Sequence, residues 1–320
     1  MSWRFASSAS LASSGLERQP GANIAKHTKL IIAPFARALP CKPTAFVVVI
    51  VSVLASKNRM PDWIVVIILG IIEGVTEFLP ISSTGHLLLA QHYLKREFPD
   101  VFTAVIQSGA VLAVLLVFTD RLKKLFQTYR EKASMDFLMK LGVAFLITAV
   151  GGLALKKSGF ALEKNPVPVA WATLVGGVLI LLIESVFRNR QPIDEIPWRV
   201  ACLIGAAQLL AVIFPGASRS GTTILVALAL GCSRPKATEF SFLLGVPTLL
   251  AAAAVETMSA LRDETAVPWG LLLLGSVVAA VTAFISVRWL LAYIQTHTFA
   301  PFGWYRIFLG GAILGLVYFN

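Results

Sequence analysis

Two polar stretches interrupt the apolar sequence of this chain, and they restrict its fold more than any other feature. The first, Glu73 to His86, reads EGVTEFLPISSTGH and has apolar residues on both sides. The second, Gln208 to Thr223, reads QLLAVIFPGASRSGTT. Each has a Glu or Gln seven residues before a proline, followed by a turn rich in Ser, Thr and Gly. Polar groups in hydrocarbon are costly unless they line a cavity or have partners, so both stretches indicate function.

The remaining sequence is that of a membrane protein. The chain of 320 residues is 57% hydrophobic and only 14% charged, with a mean hydropathy of +0.77. Its apolar runs are long enough for membrane spans, which need about 20 residues. We therefore predict an all-α polytopic membrane protein. Six spans are predicted: Val101 to Thr119, Phe137 to Leu155, Val167 to Phe187, Glu239 to Thr257, Trp269 to Leu291, and Trp304 to Phe319.

The net charge of +11 does not indicate a nucleic-acid partner, because the basic residues lie between apolar runs or near the N-terminus. Membrane lipids are the expected partner. Residues 1–59 alone hold eight Lys/Arg and one acid, Glu17. We interpret this segment as a basic leader or a start assigned too far upstream, outside a single membrane domain of residues 60–320. The three cysteines have neither a disulfide framework nor metal-site spacing.

The membrane domain divides into two related halves, residues 60–190 and 191–320. Phe102 begins FTAVIQSG and Phe240 begins FSFLLGVP, which is a weak internal repeat. If each proline-broken segment is a re-entrant hairpin, each half has three spans and the second half is inverted relative to the first. The two turns would then meet near the midplane. The alternative is a pair of ordinary spans, kinked at Pro80 and Pro215.

Loop charge gives an orientation. Loops 120–136, 188–199 and 232–238 hold ten Lys/Arg, whereas loops 92–100, 156–166 and 258–268 hold six. The more basic set is expected in the cytoplasm. The first hairpin would then enter from the outer face.

The first polar stretch carries an acidic pair. Glu73 and Glu77 are four residues apart, so on a helix they project from one face. Two like charges repel unless a cation lies between them or one is protonated. We therefore predict a divalent cation there, Mg²⁺ or Ca²⁺, because these ions prefer oxygen ligands.

Hydroxyls and an imidazole follow the acids. Pro80 ends the first helix, and Ser82, Ser83 and Thr84 are natural caps for the next one. The N-terminus of that helix offers free N–H groups to an anion. His86 lies three residues after Ser83, and a hydroxyl beside an imidazole and a carboxylate is typical of an activated nucleophile. The plainer alternative is that the hydroxyls only cap a helix.

The second stretch carries a positive charge. Arg219 lies between Ser218 and Ser220, and its guanidinium can bind phosphate oxygens in two places at once. Gly221 and Thr222 follow, and glycine lets backbone approach a ligand closely. We predict that these five residues form a phosphate clamp opposite the reacting groups of the first stretch. Alternatively, Arg219 is only a structural partner of Glu73 or Glu77.

The motifs EGVTEFLPISSTGH and PGASRSGTT closely resemble the two signature regions of the undecaprenyl-diphosphate phosphatase family of bacterial inner membranes. The resemblance covers Met60 to Asn320. It implies removal of one phosphate from undecaprenyl diphosphate, which recycles the lipid carrier for peptidoglycan synthesis and cell shape and confers bacitracin resistance. It also implies a divalent cation and a site that faces the periplasm. Carried over by motif, the functional residues are Glu73, Glu77, Ser83, Thr84, His86, Ser218, Arg219 and Ser220.

The mechanism that we predict begins with attack of Ser83 on the terminal phosphorus, with His86 or an activated water as alternative nucleophiles. A homodimer is compatible with this interpretation. The rival function is a transporter or flippase for a polyprenyl phosphate lipid, since inverted repeats with broken helices are also a transporter design.

Overall fold

The computed structural model describes residues 60–96, 98–158, 165–187, 191–263 and 267–319. The predicted basic leader, residues 1–59, lies outside these ranges. All regular elements in the described residues are helices. In chain order they are α1 (Asp62–Thr76), α2 (Ser83–Leu94), α3 (Asp100–Val117), α4 (Thr119–Gln127), α5 (Lys132–Lys157), α6 (Pro166–Phe187), α7 (Trp198–Ile213), α8 (Arg219–Ala229), α9 (Arg234–Arg262), α10 (Trp269–Tyr293) and α11 (Ala300–Phe319).

Six of these helices are long and apolar enough to cross a membrane, namely α3, α5, α6, α9, α10 and α11. They correspond one for one to the six predicted spans, so the prediction of an all-α polytopic membrane protein is confirmed. Large apolar side chains such as Leu116, Leu146 and Leu273 are more than half exposed on their outer faces. Exposed leucines of this kind suit contact with lipid tails rather than with water.

One predicted loop contains a helix. Residues 120–136 were counted as a loop in the comparison of loop charge, and the structure has α4 over residues 119–127. Hydropathy alone did not indicate it, because α4 is short and strongly amphipathic. Only Leu125 is buried, whereas Lys123 and Lys124 are exposed.

Both proline-broken segments are interrupted, as predicted. Helix α1 ends at Thr76 and α2 begins at Ser83, while α7 ends at Ile213 and α8 begins at Arg219. Proline has no N–H and clashes with the preceding turn, which explains why Pro80 and Pro215 fall in the gaps.

In each pair, α1 with α2 and α7 with α8, the start of the first helix lies close to the end of the second. Asp62 at the start of α1 forms an ion pair with Arg96 after α2, at 3.1 Å. Before α7, Ile193 donates its N–H to the carbonyl of Gly231 at 2.8 Å, and Ser233 donates back to Ile193 at 2.9 Å. The two segments are therefore hairpins rather than continuous kinked rods.

The packing partners are exchanged between the halves. Helix α1 packs on α10, the second span of the other half, and α7 packs on α5, the second span of the first half. Helices α3 and α9 pack on each other, as do α6 and α11. Glycines at matching positions allow the close contacts, because Gly70 lies against the carbonyl of Gly275 and Gly205 against that of Ala144. These contacts agree with two related halves, and their inversion across the membrane stays a prediction.

Candidate active site

The two interrupted segments have the same local geometry where their second helices begin. Ser82 caps α2 by accepting from the N–H of Gly85, at 3.3 Å. Ser218 caps α8 by accepting from the N–H of Gly221, at 3.1 Å. Both serines have positive φ, 72° and 70°. Non-glycine residues adopt this conformation at a cost of about 1–3 kcal/mol, typically at functional sites.

This match sets the register of the repeat at the site. Ser82 and Ser218 are 136 residues apart, whereas Pro80 and Pro215 are 135 apart. The residue after each cap is therefore equivalent, which places Ser83 and Arg219 at the same position of the two halves. The first residues of two helix N-termini thus supply a hydroxyl and a guanidinium.

Glu77 joins these two residues. The hydroxyl of Ser83 donates to Oε2 of Glu77 at 2.7 Å, and the guanidinium of Arg219 donates to Oε1 at 3.2 Å. Glu77 is 6% exposed and Ser83 is 9% exposed. The three side chains come from two hairpins and form one buried chain of hydrogen bonds. This arrangement brings a hydroxyl, a carboxylate that can take its proton, and a fixed positive charge together.

The guanidinium of Arg219 is held on several sides. It donates to the carbonyl of Ser241 on α9 at 3.2 Å. Its carbon lies 5.2 Å from the ring centre of Phe78, in cation–π contact. Its Nε has no hydrogen-bond partner among the described residues. Arg219 therefore pairs with Glu77, as the structural alternative expected, and keeps an uncommitted N–H donor.

Glu73 is completely buried, and neither of its carboxylate oxygens has a hydrogen-bond partner in the described part of the chain. The side chains of Glu77 and Gln107 lie beside it. A buried carboxylate without partners is costly. Oxygen donors of this kind suit a hard cation, and Mg²⁺ is often held by one or two carboxylates plus substrate phosphates. Glu73 and Glu77 therefore fit the predicted cation, although no cluster of three or more His, Cys, Asp or Glu side chains occurs in the described residues.

His86 makes its side-chain hydrogen bonds with Ser82 and Tyr305, whereas Ser83 donates to Glu77. Its Nδ1 lies 2.7 Å from the carbonyl of Ser82, and its Nε2 lies 2.6 Å from the hydroxyl of Tyr305. Its ring also stacks on that of Tyr305. Because a carbonyl only accepts, Nδ1 must carry a proton, and both ring nitrogens are engaged.

The other predicted binding residues have different surroundings. Ser220 is fully buried, and its hydroxyl lies within hydrogen-bond distance of the carbonyls of Glu77 and Leu79, so it ties the second turn to the first. The hydroxyl of Thr222 donates to the carbonyl of Arg219 at 3.0 Å. Thr84 is exposed. The predicted roles of these side chains toward a substrate stay predictions.

Arg306 was missed by the sequence reasoning. It lies on α11, is 0% exposed, and donates five hydrogen bonds to backbone carbonyls. The acceptors are Ala172, Thr173, Gly216, Ala217 and Pro80, at 3.0 to 3.3 Å. It therefore fastens both turns to α6. A charged residue inside an apolar span was itself a signal of function, and it was passed over.

The second half lacks a matching acid. Gln208, the counterpart of Glu73, is 2% exposed and donates to the hydroxyl of Thr148 at 2.8 Å. An amide there adds no charge, so the two halves are chemically different. Among the described residues of the two turns, the acidic pair comes from the first half and the guanidinium beside it from the second.

Comparisons with known proteins identify the family of this chain. Residues 66–312 match the family described as "Bacitracin resistance protein BacA". A protein of Rhizobium johnstonii named undecaprenyl-diphosphatase is 48% identical over 258 residues, which cover 80% of this chain and 97% of that protein. Proteins of the same name from Xanthomonas axonopodis pv. citri and Xylella fastidiosa strain 9a5c are 44% identical over 258 residues and 45% identical over 251. They cover 80% and 78% of this chain, and the matches span 97% and 96% of those proteins. The resemblance predicted from the two motifs is confirmed, and the chain belongs to the BacA family of bacitracin resistance proteins.

Proposed function

We propose that this protein hydrolyses undecaprenyl diphosphate to undecaprenyl phosphate and inorganic phosphate, and so recycles the lipid carrier for cell-wall synthesis. The observation that carries the proposal is the buried chain from Ser83 through Glu77 to Arg219. The curated relatives named undecaprenyl-diphosphatase support the same substrate. The description of the matched family also connects the protein with bacitracin resistance.

The reaction begins at Ser83. Glu77 accepts the hydroxyl proton, and Oγ attacks the terminal phosphorus. The bond from that phosphorus to the bridging oxygen breaks, and undecaprenyl phosphate leaves with the bridging oxygen and its electron pair. Glu77 passes its proton to the departing phosphate and is ionised again, so it can take a proton from water. The water oxygen attacks the phosphoserine, and Glu77 returns this proton to the serine oxygen as inorganic phosphate is released. Atoms and charge balance in both steps.

Positive groups face the phosphates. Arg219 donates to the phosphate oxygens from its position beside Glu77, with the Nε hydrogen that has no partner among the described residues, and a guanidinium can bind phosphate in two places at once. The free N–H groups at the starts of α2 and α8 add partial positive charge at the same place. Preorganised donors of this kind stabilise the charge that develops during phosphoryl transfer.

Glu73 and Glu77 would hold the divalent cation, Mg²⁺ or Ca²⁺. A cation there supplies neutralisation of phosphate charge. The unpartnered oxygens of Glu73 support this assignment.

His86 is a weaker nucleophile candidate than Ser83. Both of its ring nitrogens are engaged, with Ser82 and Tyr305. Attack by His86 would require loss of the hydrogen bond to Tyr305, whereas Ser83 already donates its proton to a carboxylate. A directly activated water at Glu77 is the remaining alternative.

The protein would act in the bacterial inner membrane, with the site open to the periplasm. The three more basic loops are gathered at one end of the molecule, because Arg121 pairs with Glu239 at 2.6 Å and Arg234 pairs with Glu184. This end is expected in the cytoplasm. The first hairpin opens at the other end, where Asp62 meets Arg96.

A transporter or flippase would need binding groups but no nucleophile, so the hydrogen bond from Ser83 to Glu77 favours the enzyme.

Purified protein in detergent should release phosphate from undecaprenyl diphosphate without any gradient. Ser83→Ala should abolish this release, while Ser185→Ala, at an exposed serine on α6, should leave it unchanged. Peptide mapping of acid-quenched protein should find phosphate on Ser83. Full activity of Ser83→Ala would eliminate the serine mechanism.

A further inference from the structure

Gly245, in the middle of α9, is buried beside Arg219. A Cβ added to it would lie 2.3 Å from Nη1 of Arg219, 2.8 Å from Cζ and 2.9 Å from Nη2. These are the three nearest atoms, and all belong to the guanidinium. The guanidinium of Arg219 therefore occupies the space that a side chain at position 245 would need.

Gly176 on α6 leaves a similar space for Arg306, because a Cβ there would lie 2.1 Å from Nη2 of that residue, whereas Gly109 and Gly205 serve a different purpose. A Cβ at Gly109 would meet the backbone of Ser276 at 2.5 Å, and one at Gly205 would meet the backbone of Ala144 at 2.6 Å. Those glycines let two helices approach closely. Gly245 instead leaves a slot into which a side chain from another hairpin enters.

The slot lies against the surface that orients Arg219. One turn before Gly245, the Ser241 carbonyl accepts from Nη1 of Arg219 at 3.2 Å. Phe78 covers the guanidinium from another side, and its ring meets that of Phe242 edge-on at 5.1 Å between centres. Glycine also costs roughly 1 kcal/mol relative to alanine in a helix, so its presence here requires a reason other than helix stability.

The two halves differ at the position of Gly245. When FTAVIQSG is aligned with FSFLLGVP, Gly245 matches Gln107. In the first half Gln107 places an amide beside Glu73. In the second half the same position has no side chain, and the guanidinium occupies the space.

We propose that Gly245 is a positioning residue for phosphate transfer, which sets the location of the Arg219 guanidinium by leaving it a side-chain-free slot on α9. This inference rests on the proposed function of Arg219. The guanidinium would have to move by about 1 Å to reach ordinary contact with a Cβ there. A displacement of about 1 Å in a catalytic group can cost on the order of 100-fold in rate.

The test compares phosphate release from undecaprenyl diphosphate by the full chain in detergent. Gly245→Ala should lower kcat/KM by roughly 10- to 100-fold. Its melting temperature should stay at or above that of the wild type, because alanine favours the helix. Gly311→Ala is the matched control, since a Cβ there meets nothing within 4 Å, and it should keep full activity.

A double-variant comparison separates positioning from general packing. In an Arg219→Ala background, Gly245→Ala should cause no further loss, because the group that it displaces is gone. An equal loss in both backgrounds, unchanged activity of Gly245→Ala, or failure of that variant to fold would each overturn the inference while leaving the phosphatase proposal intact. A wild-type protein that releases no phosphate would instead overturn the proposed function, and this inference with it.

Discussion

Replacement of Arg306 by methionine tests whether one buried side chain holds the two turns of the site in place. Three of its five acceptor carbonyls have other partners, since those of Ala172 and Thr173 lie within α6 and that of Gly216 also accepts from the hydroxyl of Thr173 at 3.3 Å. No other donor reaches the carbonyls of Pro80 and Ala217 in the ranges that the structure describes.

The expected loss follows from those two acceptors. A buried acceptor left without a donor costs about 1–3 kcal/mol, so Arg306→Met should lower the free energy of unfolding by about 2–6 kcal/mol. Methionine also removes the cost of burying the arginine charge, so the loss of stability should lie toward the lower end of this range. Arg306→Lys should lose less, because an ammonium retains the charge and three donors.

Equilibrium unfolding in mixed detergent micelles, followed by tryptophan fluorescence, measures this free energy. Arg288→Met is the control, because Arg288 is exposed on α10 and contacts the ring of Phe284 in cation–π geometry, a contact worth about 1 kcal/mol. If Arg306→Met were as stable as Arg288→Met, the carbonyl bonds would not hold the turns, and the reasoning would be refuted.

Two further predictions concern α1. Glu73→Gln should lower kcat by about 100-fold or more, because a cation can supply several kcal/mol of charge stabilisation. After chelation, the activity of this variant should also respond less to added Mg²⁺. A titration with Mg²⁺ that matches the wild type would contradict the cation site. Gly74→Ala should destabilise the protein by about 1–3 kcal/mol, since its Cβ would lie 2.4 Å from the carbonyl oxygen of Ala279 on α10. Gly142→Ala, where a Cβ meets nothing within 4 Å, should be neutral or stabilising in the same unfolding assay. Equal stability of the two variants would show that α1 and α10 do not need this close approach.

The local pattern of the sequence was sufficient for the elements and their polar interruptions. Hydropathy placed all six spans, and proline placed both breaks, because each depends on residues adjacent in the chain. Helix α4 was not predicted, because a segment of nine residues with one buried leucine resembles a polar loop. The acidic pair and the hydroxyls were found because charged or hydroxyl groups are rare in apolar sequence.

Local sequence patterns thus establish an all-helical membrane protein with two chemically unequal polar turns. Which side chains meet depends on how the helices pack. Glu77 and Arg219 are 142 residues apart, and their contact depends on how α8 packs against α9 and the first turn. The same packing directs His86 toward Tyr305, buries Arg306 between the turns, and gives Gly245 its neighbour. The hydrophobic periodicity of a segment indicates the structure of one helix only. These contacts depend on the distances between helices, which a local sequence pattern does not contain.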